Sequence, residues 1–179
     1  MQIRPLLPGD DPAAVSRVYE QSWQTAYRGI IPSAYLDDIP AGNWCRAVTA
    51  PDRHTLVLVS DGQIVGTSAY CAARSEQMAG WGEVISLYLL PGYCHRGLGT
   101  GLLRAAVAGL AQLGFADVYL WVLAQNQPAR RFYQKFGFAD SGAWQQQCIG
   151  GRSLRELIYT CHLPPNSAKQ PNAGPVARP

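Results

Sequence analysis

The stretch Ile85-Ser-Leu-Tyr-Leu-Leu-Pro-Gly-Tyr-Cys-His-Arg-Gly-Leu-Gly-Thr-Gly-Leu-Leu-Arg104 decides how this chain folds. It opens as a β-branched, aromatic and leucine-rich strand. It passes through a loop punctuated by Pro91 and Gly92 and continues as a helix. Gly97, Gly99 and Gly101 stand where that helix begins, so backbone N–H groups can approach a ligand with no side chain in the way. N–H groups in a first helical turn lack partners, and the helix dipole adds partial positive charge there. The guest that suits this arrangement is a phosphate or pyrophosphate.

Two phosphate carriers can be tested against the spacing. A nucleoside triphosphate loop closes on Gly-Lys-Ser/Thr, and Thr100-Gly101-Leu102 supplies no lysine. A dinucleotide loop needs G-x-G-x-x-G and an acidic residue ending the next strand. Here position 102 is leucine, and Asp117 precedes its strand. A glycine-rich loop alone also fits a tight strand-to-helix turn without a ligand, so a second motif is needed.

That motif is Val118-Tyr-Leu-Trp-Val-Leu-Ala-Gln-Asn-Gln-Pro-Ala-Arg-Arg-Phe-Tyr-Gln-Lys-Phe-Gly-Phe138. A buried strand runs into a helix started by Pro128, with Asn126 or Gln127 at its cap, and Gly137 closes that helix. Taken together, P-x-Y-x-x-R-G-x-G-x-G-L-L and N-x-x-A-x-x-F-Y-x-K-x-G-F, in that order, resemble the GNAT superfamily of acetyl-CoA-dependent N-acetyltransferases. The resemblance runs from about Ile3 to Leu163 and is strongest from Glu83 to Gly142. One position departs from the family pattern: Cys94 stands where Gln or Arg is frequent. A passive role suits Cys94, because nothing beside it activates a thiol.

The resemblance implies an α/β fold with a mixed, mostly antiparallel sheet of about seven strands, flanked by helices and splayed between strands four and five. The pantetheine arm of acetyl-CoA would pair with the fourth strand in that gap, near Leu89 and Leu90. The pyrophosphate would lie over His95, Arg96, Gly97, Leu98, Gly99, Thr100 and Gly101. Asn126 would reach the pantetheine or the phosphates. Arg130, with Arg131 and Lys135, forms either a basic rim for the coenzyme or a solvated helix face.

The implied reaction moves an acetyl group directly to a primary amine, with both substrates bound together. A protonated amine must lose a proton, and Glu83 is the candidate base, acting directly or through water, or else a plain strand-start residue. Tyr133 matches the family position that protonates the departing thiolate; its other reading is a tyrosine packed beside Phe132 and Phe136. Trp23, Tyr27 and Trp144 are candidates for an aromatic acceptor wall, which holds organic cations well. The expected acceptor is a small molecule. A protein or peptide amine, or a non-catalytic acyl-CoA-binding regulatory module, stands as the alternative.

Composition fits one soluble enzyme domain of residues 1–163, followed by a disordered tail over 164–179. The 179 residues are 47% hydrophobic and 15% charged, with a net charge of only +3, so neither general disorder nor a nucleic-acid partner is expected. Five scattered cysteines without a C-x-x-C pair argue against a disulfide framework and against a metal site, and favour the cytoplasm. No signal peptide is read at the N-terminus, and the apolar run from Ala105 to Ala124 is broken by Gly114 and Asp117, so no membrane partner is expected. A homodimer is compatible with the family.

The remaining elements follow from pattern. Ile3 to Leu6 reads as a strand, and Asp10 or Asp11 with Pro12 starts a helix to about Tyr27. Thr55–Ser60 and Gln63–Cys71 are strands joined by Asp61-Gly62, a hairpin signal. Glu83–Leu90 is the fourth strand. Gly99–Leu113 is a helix with Leu103, Ala106, Val107 and Leu110 on its apolar face. Val118–Leu123 is the fifth strand and Pro128–Phe136 the last helix. Trp144–Ile149 and Leu154–His162 close the fold as a hairpin.

Overall fold

The computed structural model describes residues 1–164, so all but the first residue of the expected tail lies outside the described residues. The elements run β1 (Gln2–Pro5), α1 (Pro12–Ala26), α2 (Ser33–Asp37), α3 (Cys45–Val48), β2 (His54–Ser60), β3 (Gln63–Ala72), β4 (Gly82–Leu89), α4 (Leu98–Gln112), β5 (Asp117–Leu123), α5 (Gln127–Phe136), β6 (Ala139–Ile149) and β7 (Arg152–His162). The seven strands form one sheet in the order β1-β2-β3-β4-β5-β7-β6. All neighbours pair antiparallel except β4 and β5, which are parallel.

Strand alternation sorts the apolar residues onto two faces. On β2, Leu56 and Leu58 join the core beneath α4, with Leu102, Leu103, Ala106 and Leu110 fully buried. Val107, expected on that face, sits at its edge and is only partly buried. Val57 points the other way, onto Val15 and Tyr19 of α1. A third cluster joins Ile31 and Leu36 to Leu123 and Leu154. Burying one apolar face of each helix against the sheet supplies the main driving force, at roughly 25 cal/mol per Å² of apolar surface.

Local chemistry fixes the joints. The Asp11 carboxylate caps α1 by accepting the Ala13 N–H, with Pro12 in the first turn. Asp61 and Gly62 both take positive φ (50° and 76°), the backbone that a two-residue hairpin with the strand's own twist requires. β6 begins five residues earlier than its apolar pattern announces. Its first half, Ala-Asp-Ser-Gly-Ala, carries no strand-favouring residue, and the register shifts between Asp140 and Trp144.

Candidate active site

β4 and β5 pair only at Gly82–Val118 and Glu83–Tyr119, after which they diverge. The register on β3 shows why. Ala69 pairs with Ser86 and Tyr70 with Val84, which leaves Ile85 as the extra residue of a bulge. A bulge bends its strand and increases the twist, and here it falls where the parallel ladder stops. Beyond it, the Leu90 N–H bonds Val65 O on the β3 side. Backbone groups alternate sides along a strand, so those of Leu87 and Leu89 turn into the gap. The Leu89 carbonyl there accepts the Ser22 hydroxyl at 2.7 Å.

The gap widens into a cavity of about 580 Å³ walled by Leu87, Tyr88 and Leu89 on one side and by Ala129, Phe132, Tyr133 and Phe136 on the other. Those four α5 residues fall at i, i+3, i+4 and i+7, one stripe of the helix. Ser22, Thr25 and Ala26 of α1 close one end, and His95, Gly97, Gly99 and Thr100 line the other. There α4 begins with no side-chain cap: Gly97 holds its N-cap in the left-handed region at φ 77°. The α1 and α5 termini, by contrast, are capped by Asp11 and Asn126. The Leu98 and Gly99 N–H groups at the start of α4 are thus left for an anion, the Thr100 N–H already bonding Gly97 O at 3.1 Å. His95, also at positive φ, and Lys135 bring basic side chains to the same cavity. A phosphate-tailed thioester arm fits this shape: an apolar cleft with a free strand edge, leading to a glycine-lined helix start.

Tyr133 is the polar group in the α5 wall. Burial, and then the nearby Tyr88, push its phenol well above the ordinary value, and no hydrogen bond among the described residues opposes this. The phenol therefore keeps its proton at neutral pH and can donate it. Around it stands an aromatic group on the α1 side of the sheet. The Tyr27 and Tyr88 hydroxyls lie 3.3 Å apart, and Trp23 packs edge-on against Tyr27 at 5.0 Å between centroids. Tyr19 bonds Ser86 at 2.7 Å. Trp23 and Tyr27 thus form the layer behind Tyr88 and do not line the cavity itself. Trp23 Nε1 is buried there without a partner.

Glu83 is placed differently from its expected role as base. It is 1% exposed, at the closed end of the gap and outside the cavity wall. Arg74 holds both carboxylate oxygens, at 2.6 and 3.0 Å, and Tyr119 donates at 2.8 Å. Burial pushes the carboxyl up, but the bonds and charge of Arg74 outweigh it and the net shift is downward. A carboxylate held this way is a poor proton acceptor. The carboxylate expected as base thus has its lone pairs committed, to a partner nine residues upstream.

Other expected contacts are also rearranged. Asn126 spends its side-chain oxygen on the Ala129 N–H at 3.2 Å, as the cap of α5. Arg130 turns toward β7, donating to Tyr159 Oη at 3.0 Å and to Ala124 O at 3.1 Å, and lies 3.7 Å from Asp140. Arg96 stays outside the cavity wall, its guanidinium 5.6 Å from the centre of the Tyr93 ring. Leu90 and Leu98 pack into the core beside α4. A Cβ on Gly101 would come 3.1 Å from Ile3, so that glycine serves helix-to-strand packing. Trp144 is 51% exposed on the edge strand, under the Arg155 guanidinium at 3.9 Å, and is not brought together with Trp23 and Tyr27. Cys94 lines the cavity; its Sγ faces Leu90 O at 3.7 Å, and burial raises its pKa, which keeps it a thiol. Among the described residues no group of three or more His, Cys, Asp and Glu side chains is arranged to hold a metal. No described helix is long and apolar enough to cross a membrane.

A strand pair opening over an uncapped helix start, with a protonated phenol facing the opening, is the arrangement that the resemblance to acetyl-CoA-dependent acyltransferases implies. Residues 16–138 match the Acetyltransferase (GNAT) family, and the chain belongs to it. It is an acetyl-CoA-dependent N-acetyltransferase. The chain is 30% identical over 129 residues to the uncharacterized N-acetyltransferase YuaI of Bacillus subtilis, covering 71% of this chain and 74% of that protein. It is 25% identical over 138 residues to a spermidine N(1)-acetyltransferase of Thermoplasma acidophilum, covering 72% and 83%. The fold matches the PaiA N-acetyltransferase of T. acidophilum, solved with coenzyme A, at a TM-score of 0.67 and 23% identity, over 90% of this chain and 99% of that one.

Proposed function

We propose that the protein transfers the acetyl group of acetyl-CoA to a primary amine of a small molecule, with donor and acceptor bound together and Tyr133 protonating the departing thiolate. The observation that carries this is the unpaired Tyr133 phenol in the wall of the cavity, opposite the Leu87–Leu89 edge. Acetyl-CoA brings an activated acyl group. The chain aligns the arm on the strand edge, receives the phosphates at Gly97–Thr100 and excludes water with Phe132 and Phe136. The kinship with a spermidine acetyltransferase supports a small amine as acceptor.

In this reading Glu83 is a structural anion. Among the described residues no carboxylate lines the cavity, so the acceptor reacts from its neutral fraction, and kcat/KM rises with pH toward the acceptor's own pKa, roughly 10 for an alkylamine. The test is thiol release from acetyl-CoA across diamines, aminoglycosides, amino acids and short peptides, paired with melting curves. Release with a small amine is the expected result. Release only with peptides would move the acceptor to a protein, and stabilisation by acetyl-CoA without release from any amine would leave a binding module.

A further inference from the structure

Glu156 is a carboxylate whose neighbours suit a ligand better than they suit the protein. On β7, residues 154, 156 and 158 share one face of the sheet. Leu154 marks that face as the α1 and α2 side, because it packs with Trp23, Tyr27 and Ile30. Register sets Glu156 opposite Leu123, at the C-terminal end of β5 where β4 has already moved away. It therefore lies one strand beyond the gap, on the face opposite the coenzyme helices. Tyr27 links it to the reaction centre: its hydroxyl reaches Tyr88, which lines the donor cavity. Burial, opposed by the Tyr88 bond and reinforced by Tyr133 and Glu156, pushes the Tyr27 phenol up to about 12.

The other inward-facing carboxylates are satisfied: Asp10 by Arg4, Glu83 by Arg74, and Glu20 by the Ser16 hydroxyl and the Gly42 N–H. Glu156 is half-buried yet, among the described residues, receives only the Gln145 amide, at 3.0 Å. Among the described residues no Lys or Arg lies within ion-pair distance of it. Arg152, on the same face, donates to Ile30 O, and Arg155, on the opposite face, stacks on Trp144. A half-buried carboxylate on the sheet face that packs Trp23 and Tyr27 is a setting in which an organic cation gains both a charge-assisted bond and cation–π attraction.

We propose that Glu156 sets acceptor specificity by pairing with a positively charged group of the acceptor, so that the enzyme favours amines carrying a second cationic centre over neutral-tailed amines and amino acids. This rests on the acetyltransferase reading above. The second ammonium is held at Glu156 while the reacting nitrogen points past Tyr27 and Tyr88 toward Leu87. Glu156 is a positioning residue: it takes no proton in the reaction.

The test compares 1,4-diaminobutane, butylamine and glutamate as acceptors for the native chain, Glu156→Gln and Glu156→Asp, with melting curves in acetyl-CoA as the fold control. In the native chain kcat/KM should fall in the order diamine, monoamine, amino acid. Glu156→Gln should lower the diamine value about tenfold or more, the scale of one lost charge-assisted bond, with butylamine little changed and acetyl-CoA stabilisation intact; Glu156→Asp should recover part of the preference. An unchanged diamine value in Glu156→Gln, or a native preference for glutamate, overturns the proposal. If no acceptor releases thiol, the acetyltransferase reading fails separately, and 1,4-diaminobutane is then tested by its melting shift in the coenzyme A complex. A shift lost in Glu156→Gln supports the cation site; no shift, or an equal one, overturns it.

Discussion

At its N-terminal end β4 is tied on every side: Gly82 and Glu83 pair with β5, and Glu83 is held by Arg74 and Tyr119 in a nearly dry setting. Five residues on, the same strand has backbone groups turned to open space, an apolar cavity beside it and a phenol facing it from α5. One element is closed with hydrogen bonds at one end and left unsatisfied at the other. An exposed strand edge invites pairing, and in the proposed function the partner at this edge is the arm of the acetyl donor. Keeping that edge open requires that β4 and β5 not close along their whole length. The Ile85 bulge and the Arg74–Glu83–Tyr119 lock together hold the divergence in place.

The largest effect is expected at the open end. Tyr133→Phe should lower kcat about a hundredfold or more, the scale of a lost general acid, with acetyl-CoA stabilisation unchanged in melting curves. At the closed end, Glu83→Ala should act on stability: it strands Tyr119 and Arg74 and costs about 2 kcal/mol, discounted because Arg74 is half exposed. Activity per folded molecule should be largely retained, and a loss of kcat matching that of Tyr133→Phe would return Glu83 to the role of base.

Smaller substitutions separate the two helix starts. Gly97→Ala places a side chain at φ 77° and should cost about 1–2 kcal/mol of stability, read by denaturant unfolding, with weaker acetyl-CoA binding in a titration where the loop shifts to relieve the strain. Asn126→Ala should cost about 1 kcal/mol of stability, read by denaturant unfolding, with coenzyme affinity unchanged, because its oxygen serves the α5 cap.

The smallest expected effect is pH-dependent. The Glu83 carboxyl is held below its unfolded value, so its stabilisation is complete above the ordinary glutamate range and fades as pH falls through the lowered value. The melting-temperature gap between the native chain and Glu83→Gln should narrow on acidification below about pH 4.

Periodicity and turn chemistry made the strands and helices legible, and the opening between β4 and β5 was implied by the family resemblance. Asp61-Gly62 announced a hairpin, and Gly97 with Pro128 announced the two helix starts that flank the cavity. Tyr133 was singled out through its motif, with Phe132 and Phe136 as its helical neighbours, while the stripe they share with Ala129 emerged only with the cavity. What stayed hidden were contacts made by folding. Arg74 lies in a loop, and nothing local ties it to Glu83. Arg130 reads as a coenzyme cation until the rotation of α5 turns it to Tyr159. The register shift in β6 decides which way Trp144 faces, and a bulge of small residues leaves no periodic trace. Glu156 escaped notice because its value depends on a charge that no neighbour neutralises.

Amide hydrogen exchange along β4, resolved to single residues with and without acetyl-CoA, tests the central claim most directly. Binding should slow exchange at Leu87 and Leu89, with Gly82 and Glu83 slow in both states and unchanged. Protection at Glu83 with none at Leu87 and Leu89 would contradict the assignment of the open edge as the place where the donor binds.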